Sequence, residues 1–335
     1  MILTQAPLRI SFVGGGTDQP NFYHRYPGRV ISVAINKFIY LVIKPTHLVD
    51  KFIIRYQATE SVSHPQELKH TRIRSALLDM GITKKGLEIG SFADIPAKTG
   101  LGSSSSFSTA LIKGLAAYQG RELNRRETAE AACHLEIDLL KEPIGKQDQY
   151  AASFGGFNML QFNPDDSVQV DPIFLSYNKQ QQLEKHILLF FTGITRDTAD
   201  ILKEQQQKMY NNFDIYKEMS DSVFKFRDKL LDGDIYSMAQ MLNEGWLNKK
   251  SLANTITNTV IDSMYSAGMQ AGALGGKILG AGGGGCILFL APPERHKIIK
   301  ETVTTLAFNN RLANFQQISV KFTQSGTEIL YNNYQ

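Results

Sequence analysis

The chain has few cysteines, no long apolar run and no dense block of charge of one sign, and each shortage removes a class of protein. Its two cysteines, Cys133 and Cys286, fall in segments that read as buried. Two residues cannot make a disulfide framework, so they are expected as reduced core thiols of a cytosolic protein. No stretch approaches the roughly 18 consecutive apolar residues of a membrane span. The first residues alternate like a strand rather than forming a basic and apolar leader. A cytoplasmic protein without a membrane partner is expected. Lysine and arginine exceed aspartate and glutamate by 36 to 32, a net charge of +4. That suits small anionic substrates but is too weak and scattered for nucleic acid. Other motifs are missing too. There is no G-x-x-x-x-G-K-[ST] loop, no G-x-S-x-G elbow, no histidine spacing suited to a metal and no internal repeat.

What is present is an ordinary globular composition, 42% hydrophobic and 20% charged over 335 residues, a length that suggests two domains with ample cores. Leu8, Ile10 and Phe12 alternate with Arg9 and Ser11 as in a strand, with Arg9 on the opposite side. The sequence predicts further strands over 31–44, 52–56, 87–95, 157–162, 168–170, 187–191, 286–290 and 318–322. Helices are predicted over 66–80, from about Phe107 to Gly120, from Asn124 to about Glu142, in two or three pieces between Asp197 and Ala271, and over 294–306. Asn124 with Glu127 reads as a capping box. Strands and helices alternate without regular βαβ periodicity, which predicts an α+β fold rather than a doubly wound sheet. The turn Asn163-Pro164-Asp165-Asp166 and the polar run 176–182 place the domain boundary, giving 1–175 and 176–335.

One stretch stands between strand 87–95 and the following helix without regular structure of its own: Pro96-Ala97-Lys98-Thr99-Gly100-Leu101-Gly102-Ser103-Ser104-Ser105-Ser106. Its glycines permit close backbone approaches, and its serines stand where a helix start needs capping. Such a site favours an anion. Taken alone, the stretch is equally a phosphate cradle or a capped surface turn.

Three other features bear on that choice. Ala129, Ala132, Cys133, Glu136 and Leu140 form one helical stripe, which puts the Glu136 carboxylate on an apolar face. A buried carboxylate needs a partner, Mg²⁺ or an arginine. Asp148, in a loop beside Lys146, Gln147 and Gln149, is placed to accept a proton. The cluster Lys277-Ile278-Leu279-Gly280-Ala281-Gly282-Gly283-Gly284-Gly285 contains a literal G-x-G-x-x-G, yet it leads into a strand and not a helix, so a dinucleotide fold is rejected. It reads instead as flat backbone for a second chain segment or a ligand.

In order along the chain, Pro7-Leu8-Arg9-Ile10-Ser11-Phe12-Val13-Gly14-Gly15-Gly16-Thr17-Asp18, the 96–106 loop and Lys277–Gly285 resemble the three motifs of the GHMP kinase superfamily. These are small-molecule kinases named for galactose, homoserine, mevalonate and phosphomevalonate. The resemblance implies a ribosomal-protein-like N-terminal domain, a ferredoxin-like C-terminal domain and an active site between them. It implies that Pro96, Lys98, Thr99, Gly100, Leu101, Gly102, Ser103, Ser104, Ser105 and Ser106 bind ATP, and that Ser104 and Glu136 hold Mg²⁺. Asp148 matches the base, with Arg9 and Lys146 as further catalytic residues. Gly15, Gly16, Thr17, Asp18, Gly282, Gly283 and Gly284 match substrate contacts.

Within the superfamily, the stretch from Gly14 to Tyr23 looks most like the bacterial heptose 7-phosphate kinases. This implies phosphorylation of the anomeric hydroxyl of D-glycero-D-manno-heptose 7-phosphate, on the way to a nucleotide-activated heptose. The galactokinase Gly-Glu-His-Thr-Asp pattern is not present. Pro96-Ala97-Lys98-Thr99 stands where Pro-Pro-Gly-Ser-like residues are commoner, and Lys98 there is a further phosphate contact or a solvated side chain. Arg196 and several lysines are available for the sugar's own phosphate. A kinase for an unphosphorylated sugar such as fucose, an ATP-dependent decarboxylase of the same superfamily and a non-catalytic sugar sensor are the alternatives. The oligomeric state cannot be read from these residues.

Overall fold

A long, almost wholly buried first strand is the spine of the molecule. The computed structural model describes residues 1–195, 198–253 and 255–334; Arg196 lies outside them. The first half contains β1 (Ile2–Val13), α1 (Pro20–Tyr23), β2 (Gly28–Pro45), β3 (Phe52–Arg55), β4 (Thr59–Val62), α2 (Thr71–Asp79), β5 (Leu87–Ala93), α3 (Ser103–Tyr118), α4 (Arg125–Cys133), α5 (Gln147–Phe154), β6 (Phe157–Phe162) and β7 (Val168–Pro172). The second half contains α6 (Tyr177–His186), β8 (Ile187–Phe191), α7 (Thr198–Lys208), α8 (Phe213–Asp232), α9 (Ile235–Leu252), α10 (Thr259–Gln270), β9 (Gly275–Ile278), β10 (Cys286–Leu290), α11 (His296–Asn309), β11 (Gln316–Gln317) and β12 (Glu328–Asn332).

Strands β12, β1, β2, β5, β3 and β4 lie side by side in that order, and β6 and β7 extend from the other end of β2. The strand β2 serves two neighbours because it is long and its register slips. Gly28–Val33 pairs with β6, and Ile39–Pro45 pairs with β5. Between them Asn36 turns to residue 321, donating its N–H to the Lys321 carbonyl and accepting the Lys321 N–H on its side chain. The second sheet runs β11-β8-β10-β9, all antiparallel. The mixture of helices and two sheets is the expected α+β fold. The capping box is present, with Asn124 accepting the Glu127 N–H at 2.9 Å and Glu127 accepting the Asn124 N–H at 2.8 Å. Both cysteines are buried and unpaired. Among the described residues no helix is long and apolar enough to cross a membrane.

Four local expectations need correction. The helix predicted from Phe107 begins at Ser103, because Gly102, at φ 79°, supplies a left-handed N-cap. The serines therefore lie inside its first turns and do not cap it. The strand predicted over 318–322 is a single bridge from Phe322 to Ile35; paired backbone lies on either side, in β11 and β12. The two or three helices predicted between Asp197 and Ala271 are four among the described residues, α7 to α10. Strand β9 (Gly275–Ile278) runs into the start of the segment read only as a glycine cluster.

The two halves share one hydrophobic core. Leu8, Ile10 and Phe12 of β1 cluster with Val223 and Phe226 of α8 and with Leu189 and Leu288 of the second sheet. The Phe12 and Phe226 rings are 5.6 Å apart between centroids. A continuous apolar interface of this kind holds two layers in a defined relation, unlike the polar contacts of loosely tethered domains.

The glycines of the third motif sit at the seam. A Cβ on Gly280 would stand 2.8 Å from the Gly100 Cα, and one on Gly285 would stand 2.7 Å from the Thr99 carbonyl oxygen. Both glycines have positive φ. Bare backbone here lets the 96–102 loop lie flat on the second half, as the sequence suggested for a second chain segment. Gly280→Ala is expected to cost about 1–3 kcal/mol, from strain and displacement of that loop. Gly245→Ala, inside α9 with nothing within 4 Å of the added Cβ, should instead gain up to about 1 kcal/mol. Thermal or chemical denaturation of the two variants checks the pair.

Candidate active site

Arg9 organises the cleft side of the seam. Its Nε donates to Asp148 Oδ1 at 2.8 Å, its Nη2 to Asp148 Oδ2 at 2.7 Å and its Nη1 to the Gly100 carbonyl at 2.6 Å. The Arg9 backbone N–H donates to the Leu101 carbonyl at 2.9 Å. One residue thus ties the 96–106 loop to β1 and holds a carboxylate in a bidentate fork, a strong and geometrically specific pair. Gly102 makes room for it, since a Cβ there would meet Arg9 Cγ at 3.2 Å and Asp148 Oδ2 at 3.4 Å.

Asp148 is not in a loop, as expected, but in the first turn of α5. Asp18 reaches the same helix start. Its Oδ2 accepts the Gln147 N–H at 3.1 Å, and its Oδ1 accepts the Gly16 N–H at 3.2 Å. Gly145 permits this approach, because an added Cβ would lie 2.1 Å from Asp18 Oδ2. Burial raises the Asp18 pKa, the neighbouring Asp148 raises it further, and the backbone N–H groups of Gln147, Asp18 and Gly16 partly offset both. Gln147 Nε2 donates to Asp148 Oδ1 at 3.1 Å, and Ser11 Oγ donates to Gln147 Oε1 at 3.3 Å, which fixes the amide. Two carboxylates therefore converge at the start of α5, and Asp148 also lies beside Gly102, the N-cap of α3, a helix start of the kind that favours an anion.

Glu136 is fully buried, on the helical stripe where the sequence placed it. It sits in a π-helical turn, His134–Leu139, that widens the end of α4. Ser105 donates to its Oε2 at 2.8 Å, Ser108 to its Oε1 at 2.9 Å and Gln149 to its Oε2 at 2.5 Å. Arg72 Nε and Ser104 Oγ lie farther from Oε1, at 3.4 and 3.5 Å. The serine run thus surrounds a carboxylate and does not cap the helix. Ser106 turns the other way and donates to the Pro7 carbonyl at 2.7 Å.

The remaining expected residues divide. Gly15 and Gly16 are half-buried at the mouth, and Pro96, Lys98 and Ser104 are exposed. Lys98 has φ 65°, the left-handed conformation that the commoner glycine at this position would hold without strain. Thr99 and Leu101 are fully buried, and their carbonyls face the fold, Leu101 accepting the Arg9 N–H and Thr99 lying against Gly285. Thr17 is also fully buried; its hydroxyl donates to the Gly14 and Arg29 carbonyls and so shapes the loop. Gly282, Gly283 and Gly284 do not reach the cleft. Gly282 packs on Ile256 and Gly284 on Ile194, and Gly283 donates its N–H to the Ile256 carbonyl at 2.7 Å.

Lys146 does not join Asp148 either. It precedes α5 on the side facing the β6–β7 turn, and its Nζ donates to the Asp166 carbonyl and to Asp166 Oδ1, both at 2.9 Å. It also lies 5.2 Å from the Tyr23 ring centroid.

Sequence reasoning missed Lys249, Tyr216 and Arg72, and gave no separate role to Lys277 within the third motif. Lys249 and Lys277 are buried. Burial pushes the Lys249 pKa down to about 8, and Arg9 pushes the same way against Asp18 and Asp148. Burial, followed by Lys249 and Arg9, holds Lys277 well below the ordinary lysine range. The Tyr216 hydroxyl, buried against Gly16, has no hydrogen-bond partner among the described residues. One signal was available for Lys249: it is a lysine on the otherwise apolar face of α9 formed by Met238, Leu242 and Trp246.

The chain matches the GHMP kinases N terminal domain over residues 69–156 and the GHMP kinases C terminal domain over residues 226–306. A D-glycero-alpha-D-manno-heptose 7-phosphate kinase of Campylobacter jejuni is 30% identical over 314 residues, covering 89% of this chain and 92% of that protein. A bifunctional fucokinase/GDP-fucose pyrophosphorylase of Arabidopsis thaliana is 26% identical over 86% of this chain and 29% of its own length. The crystal structure of a D-glycero-D-manno-heptose 1-phosphate kinase from Bacteroides thetaiotaomicron superposes with a TM-score of 0.79 at 26% identity, covering 99% of both chains. The chain belongs to the GHMP kinase family. It is an ATP-dependent small-molecule kinase.

The position of Lys146 has a measurable consequence. Burial raises the Asp166 pKa, but the bonds from Tyr23, Lys146 and His24 override it and bring the pKa to about 2. Because the folded value is depressed, the stability this aspartate contributes is present above the ordinary aspartate range and is lost as pH falls toward 2. Lys146→Met should shallow that acid limb while leaving turnover within about threefold of wild type, as for a pair near the surface. Melting temperature against pH, with ADP release at neutral pH, checks both halves.

Proposed function

We propose that the protein transfers the γ-phosphoryl group of ATP to the anomeric hydroxyl of D-glycero-D-manno-heptose 7-phosphate, giving the 1,7-bisphosphate. The observation that carries this reading is Asp148 in the Arg9 fork, set in the first turn of α5 and facing the start of α3. Two relatives named as heptose phosphate kinases support the sugar. Their names differ in which phosphate the sugar bears, so the position of that phosphate is part of the test.

In this reading the 96–106 loop and the start of α3 cradle the nucleotide phosphates. Asp18, Gly15 and Gly16 orient the sugar. Asp148 accepts the proton of the anomeric hydroxyl while that oxygen bonds to the γ-phosphorus. The bond from this phosphorus to the bridging oxygen breaks, and ADP leaves. Arg9 offsets charge on the equatorial oxygens of the loose transition state. The domain division at 175/176 is part of the same proposal, with β12 lent back to the first sheet.

The donor set fits Mg²⁺. Ser104 Oγ and Glu136 Oε1 are 3.5 Å apart, near the edge of about 3 Å expected between adjacent oxygens of a Mg²⁺ octahedron. Among the described residues no group of three or more His, Cys, Asp or Glu could hold a metal ion. Bound at Ser104 and Glu136, Mg²⁺ would neutralise phosphate charge. Arg72 forks onto Glu142 at 2.6 and 2.7 Å and also pairs with Glu136 Oε1 at 3.4 Å, so a metal taking Oε1 would share it with Arg72 and Ser108.

A kinase for an unphosphorylated sugar is the second reading, favoured by the fucokinase relatives at 26% identity. ADP release against free hexoses, fucose, hexose phosphates and heptose 1- and 7-phosphates separates the two; turnover of fucose alone removes the heptose assignment and keeps the kinase. Asp148→Asn is expected to retain ATP binding and lose about 10²–10⁴ in turnover, the usual loss on removing a general base. Near-normal turnover in a folded Asp148→Asn protein removes Asp148 from that role.

A further inference from the structure

The seam between Gly100 and Gly280 carries a cation on each side. Arg9 donates to the Gly100 carbonyl, and Lys249, on α9, donates to the Gly280 carbonyl at 2.5 Å. The two glycines are in contact, so the charged ends of Arg9 and Lys249 flank the same short piece of backbone. Lys249 is only 7% exposed, and no carboxylate forms an ion pair with it among the described residues. A buried ammonium without a counter-charge is costly. A carbonyl satisfies one of its three donors and none of its charge.

Lys277 differs in kind. Its Nζ donates to the Ser11 carbonyl at 3.1 Å and the Phe12 carbonyl at 2.8 Å, tying β9 to β1. Both lysines line a cavity of about 70 Å³ whose other wall includes Gly14 and Gly15 of the first motif. The groups facing Lys249 are Arg9, Asp18, Asp148 and Lys277, and the exposed Glu218 and Glu244 border the cavity.

We infer that Lys249 is a second phosphoryl-binding cation of this site, reaching from the second half of the chain to share with Arg9 an anionic phosphoryl oxygen, while Lys277 is a structural tie. This rests on the kinase reading and deepens it. The oxygen belongs either to the γ-phosphoryl group of ATP or to the sugar's own phosphate, and binding measurements tell them apart.

The test uses the full-length protein with Lys249→Met, Lys249→Arg and Lys277→Met. Lys249→Met should lose about 10²-fold or more in kcat/KM, as when one charge-stabilising donor is removed. Weaker binding of a non-hydrolysable ATP analogue assigns the oxygen to the nucleotide. Weaker binding of heptose 7-phosphate, with free sugar unaffected, assigns it to the substrate. Loss of kcat alone assigns it to the group in transfer. A Lys249→Met protein within about threefold of wild type overturns the inference.

The wild type supplies a measurement that needs no variant. Lysine binds an anion only while protonated, so affinity for whichever phosphorylated ligand Lys249 holds should fall as pH rises through about 8. Lys249→Arg should move that limb to higher pH, because guanidinium does not titrate there, whereas Lys277→Met should leave it in place. Affinity that stays flat from pH 7 to 9.5 for both ligands, or a limb that does not move in Lys249→Arg, overturns the inference. If wild type accepts only an unphosphorylated sugar, the heptose reading fails, and the Lys249→Met ratio on the accepted sugar still decides the role of Lys249.

Discussion

The fork between Arg9 and Asp148 is the interaction on which the rest of the structure depends. It joins the middle of β1, the start of α5 and, through the Gly100 carbonyl, the loop that begins α3. Each neighbour is shaped to admit it. Gly102 leaves space beside the guanidinium, Gly145 lets Asp18 reach the same helix start, and Gln147 braces the aspartate. An ion pair of a buried arginine with a half-buried aspartate adds little net stability, because desolvation offsets most of the attraction. Its value lies in orientation, holding a proton acceptor and a cation in fixed relation beside a helix N-terminus.

That relation also needs a rigid platform, and the shared core provides it. Phe12 packs against Phe226, and β1 against α8 and the second sheet, so the two halves meet through apolar surface as well as through polar contacts at the cleft. The glycines of the third motif then let two backbones touch where any side chain would hold them apart. Few groups in the cleft can move independently, a condition for electrostatic preorganisation.

The Glu136 nest follows the same economy. Four consecutive serines look redundant on paper, yet Ser104 and Ser105, joined by Ser108 a turn later, face the carboxylate while Ser106 braces β1. The π turn displaces Glu136 from a regular helical path into this ring of donors. Such turns recur at functional sites because they re-aim one side chain without ending the helix.

Much of this was legible in the sequence. Alternation marked β1, the stripe from Ala129 to Glu136 announced a buried carboxylate, and three ordered motifs identified the family and the loop that matters. These are local patterns, set by spacing along the chain. Partnership was not legible. The sequence could not say that the serines serve Glu136, that Lys146 turns away to Asp166, that Gly282–Gly284 pack on Ile256 and Ile194, or that Lys249 comes to the seam from α9. Those pairings join residues that lie tens to hundreds of positions apart. Only closure of the two sheets around a common core brings them within hydrogen-bond reach. Chemistry-bearing residue types were a property of the chain; which of them share one charge environment was decided by the tertiary packing.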